Sequence, residues 1–228
     1  MTAPFLQNTL DKIRGRIALA FSYQAEDVAA LHLLLAALAA LGDSAPPLEV
    51  FTLDTRKLFP ETEKYHAEVE AFFRVGITKY YPDDTETKKL EAELGEWGMR
   101  ESLEKRHECC RVRKVAPLGK ALAGKSAWVT GLRAAQSVTR SAVQVLEYDE
   151  KYRLLKINPL AAWSDAELAE YVAAHRIPVH PLYAQDFKSI GCAPCTRAVK
   201  KGEDIRAGRW WWENPEHKEC GLHLRGKA

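Results

Sequence analysis

Apolar and polar positions follow two rhythms along the chain. Short apolar runs of strand character, "IALAFS", "LEVFTLD" and "SAWVTGL", alternate with longer stretches whose apolar residues recur at helical spacing. The first run leads into "AEDVAALHLLLAALAALG" and the second into "PETEKYHAEVEAFFRVG"; the third follows a helical stretch that includes "VAPLGKALAG". Gly42 and Gly76 stand where those first two helices need a left-handed cap. Strands separated by crossover helices predict an α/β fold with a mostly parallel sheet flanked by helices. Sheets of this kind take ligands at the carboxyl ends of their strands.

From "VQVLEYDEKYRLLKINPL" the pattern predicts a hairpin, then the helix "SDAELAEYVAAHRI", with Ser164 and Glu167 spaced as a capping box. After Pro178 the periodicity fades into a loop-rich, basic segment, read as a mobile C-terminal tail on the same domain. The division expected is residues 1–190 as the α/β nucleotide-binding part and 191–228 as a cysteine-bearing loop and tail. No internal repeat or low-complexity linker interrupts it.

Composition narrows the function. With 228 residues, 46% hydrophobic and 28% charged, the chain has the make-up of a globular protein, and a formal net charge of +2 gives no bulk electrostatic case for nucleic acid or anionic membrane. Any positive site must be local. The N-terminal residues lack the layout of a secretory signal, and the apolar stretch Val28 to Leu41 contains His32 and reads as too short to span a bilayer, so a cytoplasmic protein is expected.

In a reducing compartment, five unevenly spaced cysteines point to metal or catalysis rather than a disulfide framework. In "ECCRVRK", neighbouring Cα atoms stand about 3.8 Å apart, below the roughly 4.4 Å where ordinary disulfides begin, so Cys109 and Cys110 need another partner. "GCAPC" offers Cys192 and Cys195 at the spacing that lets two thiolates hold one metal centre, or that forms a redox pair beside two structural thiols. The four thiols suit tetrahedral zinc, or a 4Fe-4S cluster, whose separate irons relieve the crowding of an adjacent pair. On a helix, Lys114 would share a face with Cys110, near both a cluster and an anionic substrate. Cys220, in "HKECGLH", is left over, with His217, Lys218 and His223 close by to favour its thiolate.

Three loops predict anion binding at one sheet edge. "SYQAED", Ser22 to Asp27, joins the first strand to the first long helix and offers backbone amides at a helix N-terminus. "LDTRKLFPET", beginning at Leu53 and Asp54, ends the second strand, and "TGLRAAQSVTR" ends another with Arg133 and Arg140.

Taken together, these residues resemble the assimilatory adenylylsulfate (APS) and phosphoadenylylsulfate (PAPS) reductases of the adenine nucleotide alpha-hydrolase superfamily, over nearly the whole chain. "SYQAED" is similar to their modified pyrophosphate loop, "LDTRKLFPET" to their nucleotide loop and "TGLRAAQSVTR" to their arginine loop. "ECCRVRK" with "GCAPC" resembles the cluster-binding set of the APS-reducing branch, and "ECGLH" the end that carries the nucleophile. The resemblance implies a 4Fe-4S cluster on Cys109, Cys110, Cys192 and Cys195, and Cys220 as nucleophile. It implies sulfate or phosphate contacts from Lys114, Arg140, Arg206, Arg209 and His223. The activity implied is reduction of APS to sulfite and AMP in sulfate assimilation and cysteine biosynthesis, with thioredoxin or glutaredoxin as a separate donor. The chain departs from the pattern at Tyr23 and Gln24, where relatives carry small residues, and at Arg56, where many carry glycine. PAPS reduction, tRNA thiolation and a non-enzymatic iron-sulfur or zinc regulator are the alternatives. A near-neutral charge and the missing Gly-Gly pair of ATP-splitting relatives disfavour the second, and idle Cys220, Arg206 and Arg209 the third. A symmetric homo-oligomer is expected on general grounds.

Overall fold

A computed structural model describes residues 2–222. Six strands form one sheet in the order β3-β2-β1-β4-β6-β5: β1 Ile17–Ala20, β2 Leu48–Leu53, β3 Ile77–Tyr80, β4 Ala127–Val129, β5 Leu146–Asp149 and β6 Leu154–Ile157. All pairings are parallel except β5 with β6, the expected hairpin. The chain winds outward from β1 through β2 to β3, then crosses back to β4 on the other side, so the strand order reverses between β1 and β4. That reversal opens a crevice at the carboxyl ends of the central strands.

Seven helices belong to this frame: α1 Thr2–Leu10, α2 Ala25–Leu41, α3 Pro60–Phe73, α4 Asp84–Leu94, α5 Leu103–Cys110, α6 Ala116–Leu122 and α7 Asp165–Ala174. The central strands are buried on both faces, which is why they read as nearly continuous apolar runs. Ile17, Leu19, Val50 and Val129 pack with α2 on one side; Ala18, Phe51 and Trp128 pack with Leu118, Ala121 and Leu122 of α6 on the other.

The α2 stretch corrects one expectation. Ala25–Ser44 forms a helical segment of 20 residues with hydropathy 1.6, long and apolar enough to cross a membrane by length and composition. Its burial gives the reason for that composition: Val28, Leu31, Leu34 and Ala37 are all buried in the core between the sheet and helices α1 and α7. A helix covered on several sides has no polar face to keep.

The capping box at α7 forms, with Ser164 Oγ accepting from Glu167 N and the Glu167 carboxylate accepting from Ser164 N. Gly42 ends α2 at positive φ (55°), but its ψ of −129° lies outside the left-handed helical conformation expected, and Gly76 does not end α3. Arg74 takes the left-handed position instead (φ 54°, ψ 43°), its N–H donating to Glu70 O. The helix stops two residues early because Glu70 Oε1 also receives the N–H of Ile77, pulling the chain directly into β3.

Beyond α7 the described chain has only short 3-10 turns and one isolated bridge, Thr196 with Arg209. It folds back over the strand ends, with Ala193 N donating to Lys57 O and Trp210 N to Cys195 O.

Candidate active site

The three predicted loops meet at the crevice. After β1, Ser22 donates to the Asp27 carboxylate through both its N–H (2.6 Å) and its hydroxyl (2.5 Å), which ties the loop to the first turn of α2. Burial pushes the Asp27 carboxyl up to about 6 against these bonds. The loop after β4 passes so close that a Cβ on Gly131 would stand 2.5 Å from Asp27 Oδ1 and 2.9 Å from the Glu26 carbonyl carbon, so only glycine fits.

The unusual residues of these loops brace them. Tyr23 adopts φ 65°, a conformation few aromatic residues take, and buries its ring with its hydroxyl 2.7 Å from His66 Nδ1. Gln24 Oε1 accepts from Ser189 Oγ at 3.2 Å and from Ile190 N, holding the approach to "GCAPC". Arg56, at φ 58°, turns outward to Asp84 at 2.6 Å, while Asp54 accepts from Arg56 N. Leu53 borders the crevice; the bordering set does not include Asp54.

The two arginines of the third loop separate. Arg140 borders the crevice. Arg133, expected as an anion ligand, does not: its buried guanidinium donates to Glu26 (2.8 Å), Asp165 (2.6 Å) and Trp163 O (3.1 Å). With all its nitrogens committed, it clamps the start of α2 to the start of α7. Arg206 and Arg209, from the tail, are 7% and 5% exposed, and both border the crevice with a buried Nε that has no partner among the described residues. Unpartnered buried donors of this kind call for a missing acceptor. Gly191 leaves room for one of these guanidiniums, since a Cβ there would lie 2.4 Å from Arg209 Nη2.

Beside this crevice the thiols converge. Cys110, Cys192 and Cys195 form one buried cluster with Met99 and Trp210, and Cys109 and Cys220 pack against it. A second, smaller cavity lies among Cys109, Cys110, Cys192 and Cys195. Lys114, Cys192 and Trp210 border both cavities and so form the wall between them. Lys114 arrives there on a π turn, Arg111–Val115, that comes directly after Cys110. Burial works against its charge, but Cys192, Cys220 and Cys110 around it more than offset that and raise its pKa above the ordinary lysine value. Arg113 is buried rather than set on a solvated helix face, and donates to Thr55 O (2.9 Å) and Glu91 (2.6 Å); Arg111 does lie outside, paired with Glu108. Burial pushes the Cys110 and Cys195 thiols up to about 12 and about 11. Cys192 opposes burial with Lys114 and with Thr55, whose Oγ1 lies 3.2 Å from its sulfur, and its thiol falls below the ordinary range. Among the described residues no group of three or more His, Cys, Asp or Glu is arranged to hold a single metal ion.

The tail brings Cys220 to the crevice edge. Glu219 beside it accepts from Arg140 Nε (2.9 Å) and Thr139 Oγ1 (2.9 Å), with Arg206 Nη2 at 3.6 Å, and these groups hold its carboxyl below the usual range despite burial. Trp210 is 1% exposed and lies under the thiols, while Trp211 and Trp212 stack with Arg100. His223 lies outside the described residues. Sequence reasoning missed Arg106 and Glu219; the only local signal was the four-residue spacing that places Arg106 on the Cys110 face of α5.

This is an α/β protein with a cationic crevice at the switch point of a parallel sheet, walled on one side by a four-cysteine chamber and closed by a tail carrying a fifth cysteine. Residues 16–198 match the phosphoadenosine phosphosulfate reductase domain, and the chain belongs to that family. It is 52% identical over 179 residues to an adenosine 5'-phosphosulfate reductase of Allochromatium vinosum, covering 78% of this chain and 70% of that protein. With the protein of the same description from Burkholderia cepacia it shares 42% over 209 residues, 92% of this chain and 81% of that one. In fold it is similar to a phosphoadenylyl-sulfate reductase from Candida auris (TM-score 0.68, 22% identity, 87% of this chain and 90% of that one) and to yeast FAD synthetase (TM-score 0.60, 14% identity, 86% and 66%).

Proposed function

We propose that the protein reduces adenylylsulfate to sulfite and AMP, with Cys220 as the nucleophile. The observation that carries this reading is the placement of Cys220 at a crevice whose cationic wall groups are Lys114, Arg140, Arg206 and Arg209. The relatives named as adenosine 5'-phosphosulfate reductases support the substrate.

The Cys220 thiolate attacks the sulfur of the sulfate group. A new S–S bond forms, the bond from that sulfur to the bridging oxygen breaks, and the electron pair leaves on AMP. Nucleophile and substrate are both anionic, so the approach is opposed until the cations offset it; Arg206, Arg209 and Lys114 supply fixed charge where charge develops in the transition state. The loop from Ser22 to Asp27 borders the nucleotide pocket, with Leu53 lining it. The resulting S-sulfonate is attacked at the cysteine sulfur by a thiolate of a separate reduced thioredoxin or glutaredoxin. Sulfite departs with the S–S electron pair, and the donor's second thiol resolves the mixed disulfide.

Cys109, Cys110, Cys192 and Cys195 fit a 4Fe-4S cluster. The support is a chamber bordered by all four thiols, no disulfide among them, and Lys114 against its wall. Four irons take one thiolate each, so such donors face a common volume rather than the single point a lone ion requires. When bound, the cluster supplies structure and a negative charge that tunes Lys114. In this reading residues 1–190 bind the nucleotide and 191–228 complete the cluster and carry the nucleophile, in a cytoplasmic homo-oligomer.

Anaerobically purified protein mixed with APS in the absence of thiols is expected to gain one sulfonate on Cys220, seen in the intact mass and removed by thioredoxin. The same measurement with PAPS sets the preference. No adduct from either nucleotide, with the cluster intact, would reject the reductase reading.

A further inference from the structure

Arg106 is fully buried on α5, one turn before the cysteine pair, and every nitrogen of its guanidinium is engaged with the tail. Nε and Nη2 form a fork on Glu213 at 2.8 and 2.7 Å, Nη1 donates to Glu219 O at 2.5 Å, and Nη2 also donates to His217 O at 2.7 Å. The guanidinium plane lies over Trp210, 4.7 Å from the ring centroid. All these acceptors fall between Glu213 and Glu219, immediately before Cys220. Arg206 adds the carbonyl between them, donating to Lys218 O at 2.6 Å.

This segment has no sheet partner and only one short 3-10 turn, Pro215–His217. Within it the carbonyls of Asn214, Pro215 and His217 accept from the N–H groups of His217, Lys218 and Glu219. The carbonyls of His217 and Glu219 also accept from one side chain, whose other end is rooted in the helix that carries Cys109 and Cys110.

We propose that Arg106 is a positioning residue for the reaction: it sets where Cys220 stands at the crevice and ties that placement to the cysteine helix. Arginine is needed because one planar fork serves a carboxylate and two carbonyls at once; a lysine ammonium is a point charge that keeps the attraction to Glu213 but cannot span the set. Any shift of α5 is transmitted to the nucleophile through this contact. The inference rests on Cys220 being the nucleophile, but its primary readout does not.

The test compares wild-type and Arg106→Lys holoproteins at matched iron and sulfide content. Iodoacetamide alkylation of Cys220, measured by peptide mass spectrometry, is expected to accelerate about tenfold in the variant as the anchored segment opens. Single-turnover sulfonation at saturating APS should fall about thirtyfold or more, since misplacement of a reacting group by about 1 Å costs up to about a hundredfold. APS affinity, measured in a Cys220→Ser background with and without Arg106→Lys, should change by less than about twofold, which separates positioning from binding. Unchanged alkylation, or sulfonation that falls only in proportion to lost iron, would overturn the proposal. If Arg106→Lys does not yield folded protein, Glu213→Gln removes the fork's acceptor and is expected to move alkylation in the same direction by a smaller factor; no movement there overturns it equally. Absence of sulfonation in the wild type would reject the reductase reading, and the alkylation comparison would still decide this one.

Discussion

Replacing Glu219 with glutamine removes the carboxylate that occupies Arg140 and Thr139 and stands near Arg206 at the crevice. In the proposed reaction a substrate anion needs those same guanidiniums, so Glu219 competes with it and must be displaced. The contact is largely buried, the Glu219 side chain being 17% exposed, so solvent does not screen it as it would a surface pair. Hydrogen bonds to charged groups contribute about 1.5–3 kcal/mol. Glutamine keeps one acceptor oxygen, so the lower end applies, and about 1.5 kcal/mol corresponds to roughly tenfold in affinity. Calorimetric titration of APS into Cys220→Ser and Cys220→Ser/Glu219→Gln holoproteins should therefore show about tenfold tighter binding in the double variant. Equal or weaker binding would refute the competition and leave Glu219 as a clamp that assists the bound state.

Lys114→Ala should lower turnover much more than it lowers iron content, because Lys114 walls both cavities; equal losses in activity assays and iron analysis would count against its electrostatic role. Gly191→Ala places a methyl group 2.4 Å from Arg209 Nη2. Because the obstructing atoms end a long side chain, the guanidinium is expected to yield before the fold does, so APS binding should weaken while the melting temperature barely moves. His180 is fully buried, its Nδ1 accepting from Leu182 N and its Nε2 against Thr62 Oγ1, and burial pushes its pKa down to about 4. The unfolded chain takes up that proton near 6.5, before the folded one does, so stability should fall as pH drops from about 6.5 toward 4. Urea titrations across that window should show a flatter slope in His180→Gln; an unchanged slope would exclude His180 as the source.

Local chemistry carried much of the architecture. The switch between strand and helix spacing revealed β1, α2, β2 and α3, and the Ser164–Glu167 box marked the start of α7, because these signals act between residues a few positions apart. That Cys109, Cys110, Cys192 and Cys195 would meet around one volume was legible for a related reason: their residue type and short spacings limit the partners available. Gly76 misled because a helix end depends on the path of the next element, and the Glu70 carboxylate draws Ile77 in before the glycine is reached. Arg133 misled more deeply. Its position at a strand end suits an anion ligand, but Glu26 lies 107 residues away in sequence and takes the guanidinium first. Arg106 with Glu213, and Arg140 with Glu219, are likewise separated by 107 and 79 residues. A charge in sequence is only a capacity for pairing, and which arginine is left to meet a substrate is decided by the partners that the folded chain places within hydrogen-bond reach.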